Sequence, residues 1–433
     1  MTITPPIPLR STGVRRLSSL LDAPGGWTTL AEHRRRFEAP PAAHRAPDEN
    51  LIDTVERAGL HGRGGAGFPT AVKLRAVAGG RRRPVVLVNG SEGEPTSTKD
   101  AVLMSRAPHV VLDGALLAAS AVGADEVIVG VKIGAGNARA SIARALGERY
   151  VTEPWTPRVR IIDVPPRYLA GEERALVNLI ERGRAIPPPG PWRPFERGVS
   201  GRPTLVQNVE TLSHLAMIRE MGADWFRSVG HAQAPGTMLV TLSGAVATPG
   251  VLEVATGYPV AGCLGAGGQA TEEAGAVLVG GYSGAWLTNA ECARATLDRS
   301  GMAAVDGVIG CAAIVVLPAS ACGIQETARV MRWLADQTAG QCGPCVHGLA
   351  AIAEGTEQLA RGAASANVLK RLHRWAGDVE GRGACRYPDG AVRLLRSALR
   401  TFEADAARHA SGRPCVGAAR STFLPLPDVG RVR

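Results

Sequence analysis

Short apolar runs alternate with amphipathic stretches from residue 49 to about 235, and this alternation predicts the fold. The runs PVVLVNG (84–90), DEVIVGVK (125–132) and VRIIDVP (159–165) are too short for helices and rich in β-branched residues. Bounded by glycine or proline, they read as buried strands. Helical stretches lie between them near 101–122 and 136–149. Ahead of them, DENLIDTVERAG (48–59) opens on an Asp N-cap candidate and closes on glycine, a helix start and stop. Such β–α alternation predicts a mainly parallel, doubly wound α/β sheet over 49–235.

The texture then changes. AIPPPGPWRPFERG (185–198) predicts an extended surface stretch. TMLVTLSG (237–244), GVLEVAT (250–256) and AVLVGGYSG (276–284) are closely spaced strands with glycine turns, a small mixed β domain over 236–318. Four amphipathic segments follow: 324–337, 348–362, 366–379 and 390–409. Joined by short connections, they predict a helical bundle over 319–412. Residues 1–48 read as a Pro- and Arg-rich arm and 413–433 as a tail.

Composition narrows the classes. A chain of 433 residues exceeds one core, and 45% hydrophobic with 20% charged residues is an ordinary soluble balance. No run of about 18 apolar residues is present to span a membrane. The N-terminus has no apolar signal region, so the expected location is cytoplasmic. The net charge of +10 suits an anionic partner, but 45 Arg against 4 Lys, scattered along the chain, fits a codon-composition bias equally well. With 4% aromatics and no aromatic–basic interleaving, nucleic acid is not an expected partner. Against that Arg background, Lys73, Lys99 and Lys132 stand out because each lies close to a glycine-rich segment.

The densest of these segments, GLHGRGGAGFPTAVKL (59–74), places Gly62, Gly64, Gly65 and Gly67 within six positions. Such a loop turns several backbone N–H groups toward one anion, with the next helix's N-terminus and Lys73 adding positive charge. A second segment, NGSEGEP (89–95), ends a predicted strand, where open α/β sheets bind ligands. Asn89, Glu92 and Glu94 there have the groups to hydrogen-bond a ribityl chain, a ribose or a ring edge. The spacing is neither the dinucleotide fingerprint nor a Walker loop. A phosphate-bearing cofactor and purely structural turns both remain open on this reading.

Of eight cysteines, Cys263, Cys292 and Cys311 stand alone and read as small buried thiols. AGQCGPCVHG (339–348) instead holds a C-x-x-C, Cys342 and Cys345, at a predicted helix start. A redox pair, a zinc site needing two more ligands, or part of a larger cluster all fit. Glu172–Glu173 reads as a ligand-contact turn. Apart from His61 in the glycine loop and His347 beside the C-x-x-C, the histidines, His409 among them, read as surface or packing residues, with no ligand spacing.

GLHGRGGAGFPTAVK, NGSEGEPTSTKD, AGEERAL (170–176) and GRPTLVQNVETL (201–212), in this order, resemble the flavin-binding, NADH-oxidising subunit of respiratory complex I. Its relatives occur in NAD-linked hydrogenases and formate dehydrogenases. The resemblance runs from about 50 to 410. It implies a Rossmann-like FMN domain, a ubiquitin-like β-grasp domain of the soluble ligand-binding type, and a four-helix bundle carrying a 4Fe–4S cluster. By the same resemblance, Gly62, Arg63, Gly64, Gly65, Ala66 and Gly67 hold the FMN phosphate. Lys73, Asn89, Ser91, Glu92, Glu173 and Asn208 match positions around the flavin. Glu94 matches the acid beside the nicotinamide of NAD(H), the candidate catalytic group, and Phe68 a ring stacking on its adenine.

The chain also departs from the family. Ser91 replaces an Asp, a second stacking aromatic falls on Ala76, and a Lys-Pro-Pro-Phe stretch becomes PGPWRPF with Trp192 and Phe195. In the family's cluster motif, Ser-Cys-Gly-x-Cys-x-Pro-Cys-Arg-x-Gly with a later fourth cysteine, Cys342, Cys345 and Cys385 match three ligands. The first falls on Ala339. Cys415 is expected to replace it, ahead of His347 and Cys322, because a tail can reach the bundle end. A three-cysteine cluster with an open iron, or no cluster, stays open.

The implied function is transfer of electrons from NAD(P)H through FMN to the cluster, then to an acidic ferredoxin-like protein or Fe–S subunit. Attachment to a membrane would be peripheral, through a complex. A family member that has lost NADH oxidation and a ligand-binding module are the rival readings.

Overall fold

The computed structural model describes residues 9–21, 27–41, 46–153, 158–190, 192–268, 270–363, 367–419 and 422–427. Residues 1–8 of the expected arm, Pro191 of the proline-rich stretch and residues 428–433 of the expected tail lie outside them. Two compact units divide the chain. Residues 1–93, 98–240 and 251–257 form the first, and 94–97, 241–250 and 258–433 the second.

The first unit opens on β1 (Leu9–Ser11) and α1 (Leu30–Arg34), so the arm carries regular structure. Next come α2 (Glu49–Ala58), α3 (Thr70–Ala78), β2 (Val85–Gly90), α4 (Lys99–Arg106), α5 (Pro108–Val122), β3 (Glu126–Lys132), α6 (Gly136–Thr152) and β4 (Arg158–Val164). After these follow α7 (Glu173–Arg182), β5 (Thr204–Asn208), α8 (Val209–Met221), α9 (Ala223–Arg227), the ribbon of β6 (Gly230–His231) and β7 (Ala234–Pro235), then β8 (Thr237–Gly244), which passes into the second unit at Thr241, and β9 (Gly250–Ala255), which returns to the first at Val251. Asp48 caps α2 by accepting the Leu51 N–H at 3.0 Å, as the sequence suggested.

The strands β4-β3-β2-β5 form an all-parallel sheet in that order. Alternation along β2 shows why it is buried on both faces. Val86 and Val88 join the large core with α2, α3, α5 and α8, while Val85 and Leu87 join a smaller one with Leu176 and Val177 of α7. The helix expected over 101–122 is two helices bent by 98°, because Pro108 starts α5 and has no N–H to continue α4. Helix α5 is buried throughout, and a Cβ on its Gly114 would lie 1.9 Å from the Leu212 carbonyl oxygen of α8. No single helix among the described residues is long and apolar enough to cross a membrane.

Two buried carboxylates anchor the lead-in. Asp113 on α5 accepts from His33 (2.6 Å), Arg34 (2.8 Å) and Arg149 (2.7 Å). Glu253 on β9 accepts the backbone N–H groups of Arg16, Leu17 and Ser18 at 2.8–2.9 Å, beside the parallel pairing of β1 with β9.

The second unit contains α10 (Val260–Ala266), β10 (Ala274–Val279), β11 (Ala285–Leu287), α11 (Asn289–Arg294), α12 (Arg299–Ala303) and β12 (Ala313–Pro318). Here β12 runs parallel to the end of β8, from Thr241, and antiparallel to β10, which pairs antiparallel with β11. Then come α13 (Gly323–Asp336), α14 (Ala350–Ala360), α15 (Val368–Val379), α16 (Tyr387–Thr401) and α17 (Glu403–Ala410). Neighbouring helices α13 to α16 pack in a closed ring, α16 returning to α13.

The helix expected over 390–409 breaks at Phe402. Its ring lies edge-on to Trp286, with centroids 5.3 Å apart, and a Cβ on Gly323 would fall 2.2 Å from it. Fully buried Trp286 donates its ring N–H to Thr327 and its backbone N–H to Ser397, linking β11 to α13 and α16. Truncating such a side chain costs about 3–5 kcal/mol. The tail is docked as well. Glu326 accepts the Phe423 and Leu424 N–H groups, and the Tyr282 hydroxyl donates to the Pro425 carbonyl at 2.6 Å.

Candidate functional site

The glycine loop is closed at its base and open at its tip. Gly62 N–H donates to the Phe68 carbonyl at 2.9 Å and Thr70 N–H to Leu60, pinning residues 60–70. Residues 64–69 are exposed, with Gly65 at φ +112° and Gly67 at φ +61°, conformations that favour glycine. The backbone N–H groups of Gly64, Gly65, Ala66 and Gly67 donate to no acceptor among the described residues. A Cβ on Gly67 would meet nothing within 4 Å, and one on Gly64 would press on the Asn208 Cβ at 3.2 Å. The tip therefore stands at the C-terminal end of β5, with free donors facing open space.

Arg63 corrects the expectation of a loop that holds phosphate along its whole length. Its guanidinium is buried, donating to the carbonyls of His61, Pro235 and Thr237, while its backbone N–H donates to Thr211. Arg63 fastens the loop, and Gly64 to Gly67 form the anion-facing tip. Phe68 is 53% exposed beside it, free to stack.

The other expected groups gather at the same sheet end. Lys73 on α3 and Glu173 on α7 form an ion pair at 2.9 Å. Asn89 donates to the Gly171 carbonyl and accepts from the Ser91 hydroxyl at 2.6 Å. Asn208 caps α8 through its carbonyl oxygen and donates to Asp100 at 2.7 Å. Glu92 has a different task from the one expected. Held at φ +36°, its carboxylate accepts the Asp100 and Ala101 N–H groups at the start of α4, and its carbonyl accepts from Lys132. It shapes the turn rather than reaching outward.

Beneath them lies a charge cluster that only Lys99 hinted at. Lys99 Nζ sits 2.8 Å from both Asp100 and Glu210, all three buried. Burial would lower the Lys99 pKa, but the two carboxylates hold it protonated. Burial raises Asp100, against the pull of Lys99. Glu210, which burial alone would raise, is drawn down to about 2 by Lys99.

Glu94 belongs to the second unit. Its carboxylate is buried and fixed on both oxygens, one accepting from the Thr96 N–H and hydroxyl, the other from the Tyr282 N–H at 2.8 Å. Tyr282 was not anticipated, since its separation from Glu94 leaves no local pattern.

Cys345 lies on a widened helical turn, Pro344–Leu349, that leads into α14, with Cys342 just ahead of it, a feature frequent at functional sites. Cys385 lies before α16. Burial raises the Cys345 thiol, and the nearby Cys342 and Cys385 raise it further. Tyr387, whose hydroxyl donates to the Leu334 carbonyl at 2.6 Å, is raised by burial and then by Cys345 and Cys385. The structure thus brings Cys342, Cys345 and Cys385 together, with Ala339 in the same segment. Cys415, expected as their fourth partner, meets Cys322 and His409 instead. His347 is exposed.

Known proteins resemble this chain. Residues 55–217 match the Nuo51 FMN-binding domain, and residues 325–409 the NADH-ubiquinone oxidoreductase-F iron–sulfur binding region. The second F-type subunit of the NADH-quinone oxidoreductase of Rhizobium meliloti (strain 1021) is 30% identical over 425 residues, covering 95% of this chain and 99% of that protein. The chain belongs to the NADH-quinone oxidoreductase F-type family. The F-type member from Streptomyces coelicolor is 29% identical, over 92% of each chain. Among solved structures, the NAD+-reducing [NiFe]-hydrogenase in the air-oxidized state aligns with TM-score 0.81 at 28% identity. That alignment covers 98% of this chain and 70% of the other.

This F-type chain therefore carries an FMN-binding domain and an iron–sulfur binding region, as the motifs implied. Its own atoms fit both groups. Unpaired amides over open space suit a phosphate. Three clustered thiols whose mutual repulsion disfavours ionisation suit a cationic iron centre, with one protein thiolate fewer than such clusters ordinarily have.

Proposed function

We propose that this chain is the NADH-oxidising, FMN-binding subunit of a multi-subunit electron-transfer complex. The observation that supports it most strongly is the tip at Gly64–Gly67, four donors without acceptors among the described residues, at the C-terminal end of the parallel sheet. These amides would hold the FMN phosphate, with Lys73 supplying positive charge nearby. Asn89, Ser91, Glu173 and Asn208 would orient the rest of the molecule, Asn89 and Ser91 held by each other, Glu173 by Lys73 and Asn208 by Asp100. Bound FMN supplies exchange between two-electron and one-electron chemistry.

Phe68 would stack on the adenine of NADH. Glu94, immobilised by Thr96 and Tyr282, would position the nicotinamide. Cys342, Cys345 and Cys385 would hold the iron–sulfur cluster, and the widened turn at 344–349 orients the first pair. The net charge of +10 supports an acidic ferredoxin-like or iron–sulfur partner, met with electrostatic steering.

An anaerobic absorption spectrum with flavin and iron quantified, before and after NADH, tests the reading. About one flavin per chain, bleached by NADH, is the expected result. Flavin that is present but unmoved by NADH or NADPH sinks the dehydrogenase assignment and leaves a non-catalytic relative.

A further inference from the structure

Outside the cluster trio, one set of side chains among the described residues meets as metal ligands do. The ligating atoms of Cys322, His409 and Cys415 all lie within 4.8 Å of one another. They come from three places in the second unit: the N-cap of α13, the last turn of α17, and the segment after it. Nothing in the proposed electron path uses them.

The histidine is set for coordination. His409 is fully buried, and its Nδ1 faces the carbonyl oxygens of Leu359 and Ala360 at 3.2 and 3.0 Å. Only a ring proton satisfies two carbonyls, so Nδ1 carries the hydrogen and Nε2 the lone pair. A backbone carbonyl on the far nitrogen is the usual outer partner of a metal-bound imidazole. Nε2 lies 3.5 Å from Cys322 Sγ, and the hydrogen bond it accepts from the Cys415 N–H at 3.2 Å would give way to the metal. Zinc–sulfur and zinc–nitrogen bonds of ordinary length, meeting at a tetrahedral angle, set sulfur and nitrogen about 3.6 Å apart.

We propose that Cys322, His409 and Cys415 bind one zinc ion, separate from the iron–sulfur cluster, that fastens the segment after α17 to the bundle. Two thiolates and an imidazole make a soft ligand set that suits zinc. Cys322 is buried while Cys415 is half-buried on the wall of a groove of about 870 Å³, so water can fill the fourth position. The metal would also shorten the free path between α17 and residues 422–427, which Glu326 holds.

The test measures zinc and iron together in the purified full-length holoprotein. About one zinc per chain is expected, retained in C342S and lost in C415S, with iron and flavin in C415S unchanged. Cobalt in place of zinc should give tetrahedral and thiolate-to-metal absorption in the wild type and none in C415S. In the wild type itself, Cys322 and Cys415 should resist alkylation until a chelator is added, a readout independent of whether any variant folds.

Three results overturn the proposal. Iron that falls in C415S assigns Cys415 to the cluster. A Cys322–Cys415 peptide lighter by two hydrogens assigns a disulfide. Zinc that is absent, or indifferent to C415S, leaves only a packed thiol pair.

Discussion

The glycine loop and the cysteine turn are both candidate cofactor sites, but they are built from different parts of the chain. The loop presents backbone. Its donors are the amides of residues 64–67, and the side chain with the most polar atoms, Arg63, turns inward to hold the loop from behind. The cysteine site presents side chains, and each position is a separate ligand. A backbone site therefore tolerates changes of side chain, yet fails when a Cβ appears where φ is positive. A side-chain site is unmoved by backbone chemistry, yet loses a ligand with one substitution, as at Ala339.

The largest expected effect breaks the loop. Gly67→Val puts a β-branched residue at φ +61° and a side chain into the cradle. Strain of about 1–3 kcal/mol plus the blocked space should weaken FMN at least tenfold, measured by flavin release and fluorescence. Iron should be unchanged. Equal loss of flavin and iron would mean that the two sites are not independent.

A smaller effect, of opposite sign, sharpens the comparison. Ala339→Cys returns a thiolate to the segment that holds Cys342 and Cys345. Iron per chain should rise toward about four, and bleaching of the cluster absorbance in air should slow. An unchanged iron content would show that another group already completes the cluster.

The smallest and least local effect is on stability in acid. Burial lowers the pKa values of His33, His109 and His214 from the ordinary value of 6.5, His109 to about 3. Each is neutral when folded and gains a proton more readily when unfolded. Their contribution is therefore full above pH 6.5 and is lost as the pH falls toward their folded values. Glu210, lowered to about 2, adds a loss that begins below its ordinary value of 4.5. Denaturant midpoints should thus fall steadily from about pH 6.5 downward. A flat profile to pH 4 would contradict the burial of these histidines.

What the sequence made legible was local. The strands β2 to β4, the glycine loop and the C-x-x-C follow from short-range pattern, because periodicity and turn residues act over a few positions. Lys99 was conspicuous as a rare lysine, and its partner Asp100 is the next residue. What stayed hidden was long-range. Arg63 reaches Thr237, Glu326 captures Leu424, and His409 meets Cys322 across 87 residues. No spacing rule encodes such encounters. Phe402 is instructive because it is a fair helix residue. Only its docking against Gly323 and Trp286 ends α16 there, a tertiary preference overriding a local one.

The Glu253 carboxylate carries a consequence for biosynthesis. It gathers the amides of Arg16, Leu17 and Ser18, residues 235 to 237 positions earlier, and β9 supplies the partner for β1. While a ribosome has made only the first 240 residues, the parallel sheet and its helices can assemble, but β1 still lacks its strand partner. It must wait, exposed, for the strand that carries Glu253 to leave the exit tunnel. Closure over such a separation is entropically slow. A nascent chain halted before residue 251 should therefore be trimmed by protease at its N-terminal end and spared within its sheet.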